Sequence, residues 1–286
     1  MAIKTTYPIV LAHGIARFDA ISNDILDLDN TEDDALDLLH YYKGVRTMLE
    51  KKGFRARHAE GVAWADSIKV RSLQLRDAVL RVLAETQAEK VNIIAHSMGG
   101  LDARHMMFND RLKGKIHKKV ASITTISTPH EGSAMADFLV ANKQAFGHLF
   151  DALGISVDGL DDVTIAACAA FNAKSESFER ELLADPAAFT FQTYAGVAEI
   201  WNVFAPLKIP YAIVRKKQGP NDGFVARDAA KFRGRDHVEV LKNTDHLNEL
   251  GWWDISSVVV DSPKGLLKRI HKLFLDIADK LPKARR

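Results

Sequence analysis

Two short, almost continuously apolar runs constrain the fold of this chain most strongly. They read YPIVLAH at residues 7–13 and KVNIIAH at residues 90–96. A strand is apolar along its whole length when helices cover both faces of its sheet, which is typical of parallel sheets. Between the two runs, apolar residues recur at helical spacing, first over residues 42–49 and again over residues 68–82. This alternation predicts parallel strands joined by crossover helices.

Three later runs extend the same pattern along the chain. The candidate strands are VASITTIS at 120–127, FTFQTYAG at 189–196 and VEVL at 238–241. The sequence shows no internal repeat, low-complexity segment or linker. We therefore predict a single α/β domain over residues 1–286, with a mostly parallel central sheet flanked by helices and one insertion at about residues 135–185.

Charge and cysteine content exclude several classes of protein. The chain has 39 Lys and Arg against 37 Asp and Glu, so no strong field attracts nucleic acid, and we expect no nucleic-acid partner. Its one cysteine, Cys168, can form neither an internal disulfide nor a thiolate zinc cluster. No apolar run approaches the roughly 20 residues of a membrane-spanning helix. The N-terminal segment lacks a cleavable signal pattern, so we expect a cytoplasmic protein, or one secreted without such a signal.

The candidate nucleophile lies where the second apolar run ends. The motif AHSMG at 95–99 fits the G-x-S-x-G nucleophile elbow, with alanine in the first small position. This sharp strand-to-helix turn holds its serine in a strained conformation, and small residues two positions away on either side avoid a clash. The turn would raise the Ser97 hydroxyl above the sheet and place the N–H of Met98 at a helix N-terminus, where negative charge is favoured. An ordinary turn that contains a serine is the alternative.

The first apolar run ends in a second feature of catalytic interest. His13 and Gly14 close this run, at the place where an oxyanion hole obtains its other donor. The donor here would be the backbone N–H of Ile15. A His-Gly pair after a strand is also a common turn.

A serine hydroxyl needs a neighbouring base, and the base needs a carboxylate that holds its tautomer. When the serine comes first in the chain, the acid and then the histidine follow in later loops. Asp222 in a Pro-Asn-Asp-Gly loop and His246, five residues after VEVL, are the candidates. The competitors are Asp236 with His237, and Asp245 beside His246.

Together these segments resemble the bacterial true lipases of the Pseudomonas, Burkholderia and Proteus type, which are α/β-hydrolases that cleave acylglycerols and other carboxylic esters. The resembling segments cover most of the chain and include YPIVLAHGI, NIIAHSMGGLDARHMM, ITTISTPHEGSAMAD, LDDVTIAACAAFN, TYAG and NDGFV. The resemblance implies an α/β-hydrolase fold, a triad of Ser97, Asp222 and His246, and an oxyanion hole from the N–H groups of Ile15 and Met98. Its closest likeness is to members without a disulfide, so we expect no dedicated folding chaperone.

The insertion at about 135–185 lies where this fold carries its cap. Within it, Phe146 and Phe150 share one helical face, which predicts an apolar lid over an acyl pocket, although plain core is the alternative. His130 in STPHEGS is a candidate pocket-lining residue, with a hydrogen-bonded loop histidine as the alternative. The final amphipathic segment has a basic face that we interpret as solvated, with transient contact with a lipid interface as the alternative.

The predicted activity is the hydrolysis of acylglycerols or other acyl esters through an acyl-enzyme, which requires no metal or cofactor. Alternatives are an acyltransferase, thioesterase or amidase that uses the same triad, or a non-catalytic relative that binds a small ligand.

Calcium marks a departure from the family pattern. The resembling lipases hold a structural Ca²⁺ through an aspartate two residues and a glutamine six residues after the histidine, where this chain has Asn248 and Trp252. Calcium needs several oxygen ligands and carboxylate charge, so we expect no metal site. Trp252 and Trp253, packed on apolar neighbours, would brace the histidine loop instead.

Overall fold

The computed structural model describes residues 6–15, 36–144, 157–232, 239–254 and 262–284. Within these residues six strands form one sheet in the order β2-β1-β3-β4-β5-β6, and every neighbouring pair is parallel. The strands are β1 (Ile9–Ala12), β2 (Ala56–His58), β3 (Val91–His96), β4 (Val120–Ile126), β5 (Thr190–Val197) and β6 (Glu239–Lys242). The predicted mostly parallel sheet is confirmed, and β2 is a strand that the sequence pattern did not indicate.

Eight α-helices lie among the described residues. They are α1 (Val45–Lys51), α2 (Ile68–Thr86), α3 (Met98–Asn109), α4 (Ala134–Ala141), α5 (Val157–Asp161), α6 (Ile165–Leu183), α7 (Lys208–Gln218) and α8 (Pro263–Lys280). Short 3₁₀ turns occur at Leu36–Leu39, Ile116–Lys119, Ile200–Asn202, Ala205–Leu207 and Asn248–Leu250. None of the helices in the described part of the chain is long and apolar enough to cross a membrane.

Helices cover both faces of the sheet, which explains why its central strands are apolar throughout. Alternate residues of β1 point to opposite faces: Val10 packs with α2 and α3 in one core, and Leu11 packs with α1 and α8 in the other. β3 divides in the same way, with Ile93 in the first core and Ile94 in the second.

A third apolar cluster lies beyond the carboxyl ends of the strands. It joins α3, through Met98 and Leu101, to Met135 and Leu139 of α4 and to Cys168 of α6. The described helices of the predicted insertion therefore pack against the helix that begins at the elbow. Phe146 and Phe150, the residues of the predicted lid face, lie outside the described residues.

The strand order brings the two candidate catalytic turns together. β1 pairs with β3 so that Ala12 is opposite Ala95, and both strands end within two residues of that pair. The turns that follow them, at residues 13–15 and 96–98, are therefore neighbours at one edge of the sheet. This is the edge where open α/β sheets bind their ligands.

Candidate active site

The elbow serine adopts the strained backbone that its motif predicts. Ser97 has φ 55° and ψ −131°, in a region that residues with a Cβ rarely occupy, and α3 begins at the next residue. Its amide donates to the carbonyl of Ile126 at the end of β4. Gly99 must be small, because a Cβ there would lie 2.6 Å from the carbonyl oxygens of Ala12 and His13. The close approach of α3 to the end of β1 therefore requires glycine.

The His13-Gly14 turn lies directly against Ser97, the candidate nucleophile. A Cβ on Gly14 would come within 2.7 Å of the Ser97 Cβ. The His13 ring stacks on Trp64 with centroids 3.8 Å apart, and burial lowers the pKa of this histidine to about 3, so the ring is neutral. Within the described residues, the backbone N–H groups of Ile15 and Met98 have no hydrogen-bond acceptor. These two N–H groups are therefore the candidate oxyanion donors.

A buried ion pair joins this turn to the nucleophile helix. Arg71 of α2 donates from Nη2 to the carbonyl oxygen of His13 at 2.9 Å and from Nη1 to that of Ala63. Its Nε and Nη2 both donate to Oδ2 of Asp102 on α3, at 3.0 and 2.6 Å. Burial raises the pKa of Asp102 to about 6, against the opposing effect of the guanidinium. The pair ties the turn after β1 to α3 through side chains that solvent does not reach.

The predicted acid and base are hydrogen-bonded to each other. Nδ1 of His246 lies 2.7 Å from Oδ2 of Asp222. The other carboxylate oxygen, Oδ1, accepts the N–H groups of Phe224 and Val225 at 2.9 and 2.7 Å, which fixes the orientation of the carboxylate. The His246 amide also donates to the Asp222 carbonyl. With Nδ1 engaged, Nε2 is the nitrogen that remains for proton transfer.

The residue before the candidate nucleophile packs against the candidate base. The ring of His96, which precedes the serine, lies with its centroid 4.4 Å from that of His246. Among the described residues the Ser97 hydroxyl makes no hydrogen bond. Bonds between nucleophile and base are often long in ligand-free sites and tighten when substrate binds.

Asp245, a competitor for the acid role, turns its carboxylate towards backbone. It accepts the N–H groups of Phe204, Leu247 and Asn248 at 2.7, 2.9 and 2.7 Å. Burial raises the pKa of this carboxyl to about 7, although the three donors oppose the shift. Asp245 therefore caps the turn that carries His246. The other competitors, Asp236 and His237, lie outside the described residues.

The residues beside the histidine do not fit a calcium ion. The Asn248 side-chain amide donates to the Trp252 carbonyl at 2.8 Å, and the Trp252 indole donates to the carbonyl of Tyr41 at 3.0 Å. The Lys43 ammonium lies 4.4 Å from the centre of the Trp252 ring. These two positions therefore supply no carboxylate charge, and a lysine cation lies close to one of them, which disfavours a calcium ion.

The expected brace for the histidine loop is correct in one of its two residues. Trp252 packs on two apolar clusters of the described core. Trp253 does not match the expectation, because its side chain is 40% exposed.

The surroundings of His130 differ from those expected for a residue that lines a pocket. Its ring is fully buried, with Nε2 3.1 Å from the Thr125 hydroxyl and Nδ1 3.4 Å from Nη1 of Arg104. It packs on Phe191 and Phe232. These partners lie outside the triad, so the contacts favour the alternative of a hydrogen-bonded structural histidine.

Sequence reasoning missed three buried polar side chains beside the triad, namely Tyr41, His96 and Glu249. Ligand atoms of His96, His246 and Glu249 lie within 4.8 Å of one another, as in a metal site. However, the two histidines already use ring nitrogens for the bonds to Glu249 and Asp222. We therefore interpret the group as a hydrogen-bond network. The available signal was the position of Glu249, which is three residues after His246 and so shares its side of a helical turn.

Comparisons with known proteins identify relatives of this chain. A family model described as a PGAP1-like alpha/beta domain matches residues 69–155. The chain is 32% identical over 280 residues to triacylglycerol lipase 2 of Saccharomyces cerevisiae, a match that covers 86% of this chain and 80% of the relative. It is 34% identical over 165 residues to a triacylglycerol lipase of Burkholderia plantarii, covering 57% of this chain and 38% of that protein. The mature Bacillus licheniformis lipase BlEst2 superposes with a TM-score of 0.63 at 16% identity, over 97% of this chain and 94% of that one.

The parallel sheet, its two helix layers and the likeness to solved lipases and esterases define an α/β-hydrolase fold. The chain belongs to the lipase family of α/β-hydrolases. It is an ester hydrolase of the serine hydrolase class.

Proposed function

We propose that this protein is a triacylglycerol lipase of the Pseudomonas, Burkholderia and Proteus type, with Ser97 as nucleophile, His246 as base and Asp222 as the acid that orients it. The observation that carries the assignment is the 2.7 Å contact between Asp222 and Nδ1 of His246, beside a serine in a strained elbow. The named relatives act as support, since two of them are triacylglycerol lipases that share about a third of their matched residues with this chain.

The proposed reaction follows from the arrangement of these groups. His246 removes the Ser97 proton through Nε2 while the serine oxygen attacks the ester carbonyl. The carbonyl oxygen becomes an oxyanion that accepts the N–H groups of Ile15 and Met98. The protonated His246, stabilised by Asp222, then gives its proton to the leaving alcohol, and water releases the fatty acid from Ser97 by the same steps.

One proposed oxyanion donor lies at the start of a helix, and the other follows the turn after β1. Met98 is the first residue of α3, so its N–H has no partner within the helix and lies at the positive end of the helix dipole. Ile15 follows the turn that Arg71 and Gly14 hold against the serine. A preorganised hole of this type contributes a factor of about 10²–10³ per donor to turnover.

Substrate class is tested with a matched series of acyl compounds. We expect hydrolysis of nitrophenyl esters of increasing chain length and of emulsified triacylglycerol, with the corresponding anilides cleaved far more slowly. Ser97→Ala serves as the control and should reduce every activity by orders of magnitude. Anilide or thioester cleavage that outruns ester cleavage would contradict the proposal in favour of amide or thioester hydrolysis. Net transfer of the acyl group to an added alcohol in place of water would identify an acyltransferase.

The lid remains part of this proposal, on the pattern of Phe146 and Phe150 alone. Because a lid contributes little to the buried core, Phe150→Ser should alter activity on long-chain and emulsified esters more than it alters the melting temperature. A large fall in melting temperature with an unchanged chain-length preference would show that the helix is core.

A further inference from the structure

Three fully buried side chains that take no part in the proposed reaction form one continuous hydrogen-bonded chain. Tyr41 follows the 3₁₀ turn at Leu36–Leu39, His96 is the last residue of β3, and Glu249 lies in the turn after the candidate base. The Tyr41 hydroxyl is 2.7 Å from Nδ1 of His96, and Nε2 of His96 is 2.9 Å from Oε2 of Glu249. Buried polar groups are costly unless they are paired, and a fully paired network is rigid. This chain can therefore hold its neighbours in fixed positions.

One end of this chain holds the oxyanion turn. The backbone N–H of Gly14 donates to the Tyr41 hydroxyl at 3.0 Å. A Cβ on Gly14 would lie 2.8 Å from that hydroxyl and 2.7 Å from the Ser97 Cβ, so the turn is enclosed between the tyrosine and the nucleophile. The next backbone N–H along the chain is that of Ile15, the proposed oxyanion donor.

The other end is anchored at the carboxyl ends of β4 and β5. Oε1 of Glu249 accepts the hydroxyl of Ser127 at 2.5 Å, and Ser127 Oγ in turn accepts the N–H of Gly196 at 3.1 Å. Ser127 follows β4 and Gly196 lies in β5. The network therefore spans the sheet from the strand before the acid loop to the turn after β1.

Donor and acceptor roles can be followed along the chain. The Tyr41 oxygen accepts the N–H of Gly14, and the Tyr41 hydroxyl donates to Nδ1 of His96, because the neutral ring carries its proton on Nε2. Burial lowers the pKa of His96 well below its usual value, so the ring is neutral and carries its proton on Nε2, which donates to Glu249. Burial raises the pKa of Glu249 well above its usual value, and an added proton on Oε1, shared with Ser127, leaves Oε2 an acceptor. With that proton on Oε1, the His96 tautomer is the same as with an ionised Glu249.

We propose that Tyr41, His96 and Glu249 are positioning residues for the oxyanion hole. Glu249 fixes the tautomer of His96, His96 directs the Tyr41 hydroxyl, and the hydroxyl holds Gly14 so that the N–H of Ile15 points at the developing oxyanion. This inference rests on the proposed function, because it concerns the donor that the proposed reaction uses. It assigns Glu249 the role of a hydrogen-bond acceptor, with no requirement for its charge.

Tyr41→Phe is the first test, with Tyr42→Phe as its matched control. The Tyr42 hydroxyl is equally buried but donates to the carbonyl of Ala12 at 2.6 Å, so its loss leaves the Gly14 N–H paired. We expect Tyr41→Phe to lower kcat on a nitrophenyl ester about 10- to 100-fold with little change in KM, a smaller loss than removal of an oxyanion donor. Tyr42→Phe should stay within about threefold of wild type even if both variants melt at lower temperature.

A transition-state analogue separates positioning from general destabilisation. A trifluoromethyl ketone forms a tetrahedral adduct with the serine, and its oxyanion occupies the hole. Its inhibition constant should rise for Tyr41→Phe by the same factor as kcat/KM falls, and should not rise for Tyr42→Phe. Equal effects of the two variants on kcat and on inhibition would overturn the proposal.

Glu249 is tested by rescue with an uncharged acceptor. Gln can accept from Nε2 of His96 and donate to Ser127, whereas Met can do neither. We expect Glu249→Met to lower kcat roughly tenfold or more and Glu249→Gln to restore it to within about threefold of wild type. If Gln is as damaging as Met, the charge of Glu249 is what matters, and the positioning role is refuted. An inactive wild-type protein would instead refute the proposed function, so the two failures are distinguishable.

Discussion

The buried Arg71 and Asp102 pair offers a sharp test of how the oxyanion turn is held. In Arg71→Met the carboxylate of Asp102 loses its counter-ion, and the carbonyls of His13 and Ala63 lose a donor. Removing one partner of a buried ion pair costs about 3–5 kcal/mol, and each unpaired carbonyl adds roughly 1 kcal/mol. We therefore expect a loss of about 5–7 kcal/mol in the free energy of unfolding, or roughly 10–28 °C in melting temperature.

The pH dependence of this loss identifies its cause. In the folded protein the pKa of Asp102 is about 6, raised by burial, whereas an unfolded aspartate has a pKa of about 3.9. The folded state therefore binds the Asp102 proton more tightly than the unfolded state does. The free energy of unfolding falls by at most about 3 kcal/mol as the pH rises through the range between these two pKa values. Without Arg71 the pKa of Asp102 in the folded protein rises further, because the guanidinium lowers it. The free energy of unfolding then continues to fall at higher pH. The variant should be less destabilised at pH 5 than at pH 8.

Urea unfolding followed by tryptophan fluorescence at the two pH values measures both effects. The double variant Arg71→Met/Asp102→Leu serves as the control, because it leaves no buried charge and should recover most of the stability. A loss in Arg71→Met below about 1 kcal/mol, or an equal loss at both pH values, would refute the reasoning. So would a double variant no more stable than the single one.

Three further outcomes follow from contacts near the site. Chelation with EDTA should leave activity and melting temperature unchanged, and Trp252→Gln should lower the melting temperature without creating calcium binding, because Asn248 brings no carboxylate charge and the Trp252 indole is only a donor. Activity lost on chelation and recovered with Ca²⁺ would contradict this. Burial raises the pKa of the Cys168 thiol to about 12, so iodoacetamide at pH 8 should label this thiol in urea but not in the native protein. Labelling of the native protein with loss of activity would show that the thiol is accessible. Asp222→Asn should lower kcat by up to about 10⁴-fold, because His246 would adopt the wrong tautomer, whereas Asp245→Asn should mainly lower the melting temperature. A larger loss of kcat in Asp245→Asn than in Asp222→Asn would exchange their roles.

The sheet was largely predictable because burial on both faces makes a strand apolar along most of its length, and this run is visible in each strand by itself. β1, β3 and β4 are fully buried along their length, and their apolar runs mark them in the sequence. β2 has only three residues, Ala56–His58, two of which are polar. This strand forms by pairing with β1, which is distant in sequence, so no local pattern indicates β2.

The candidate nucleophile, acid and base were predictable because each lies in a turn with its own local chemistry. The small residues around Ser97 and the short loop at Asp222 leave a signature within a few positions of the chain. The network of Tyr41, His96 and Glu249 has no such signature, because its members are far apart in sequence and meet only in the folded protein. Arg71 was read as part of an amphipathic helix, and its burial depends on Asp102, a partner on another helix.

The central claim is that Ser97 is the nucleophile of an ester hydrolase, and covalent labelling tests it most directly. The protein is treated with a fluorophosphonate, its intact mass and residual esterase activity are followed together, and the modified peptide is sequenced by mass spectrometry. We predict one adduct per chain, located on Ser97, formed at the rate at which activity disappears, and absent from Ser97→Ala. Labelling of Ser97→Ala, or an adduct on another residue that abolishes activity, would contradict the account.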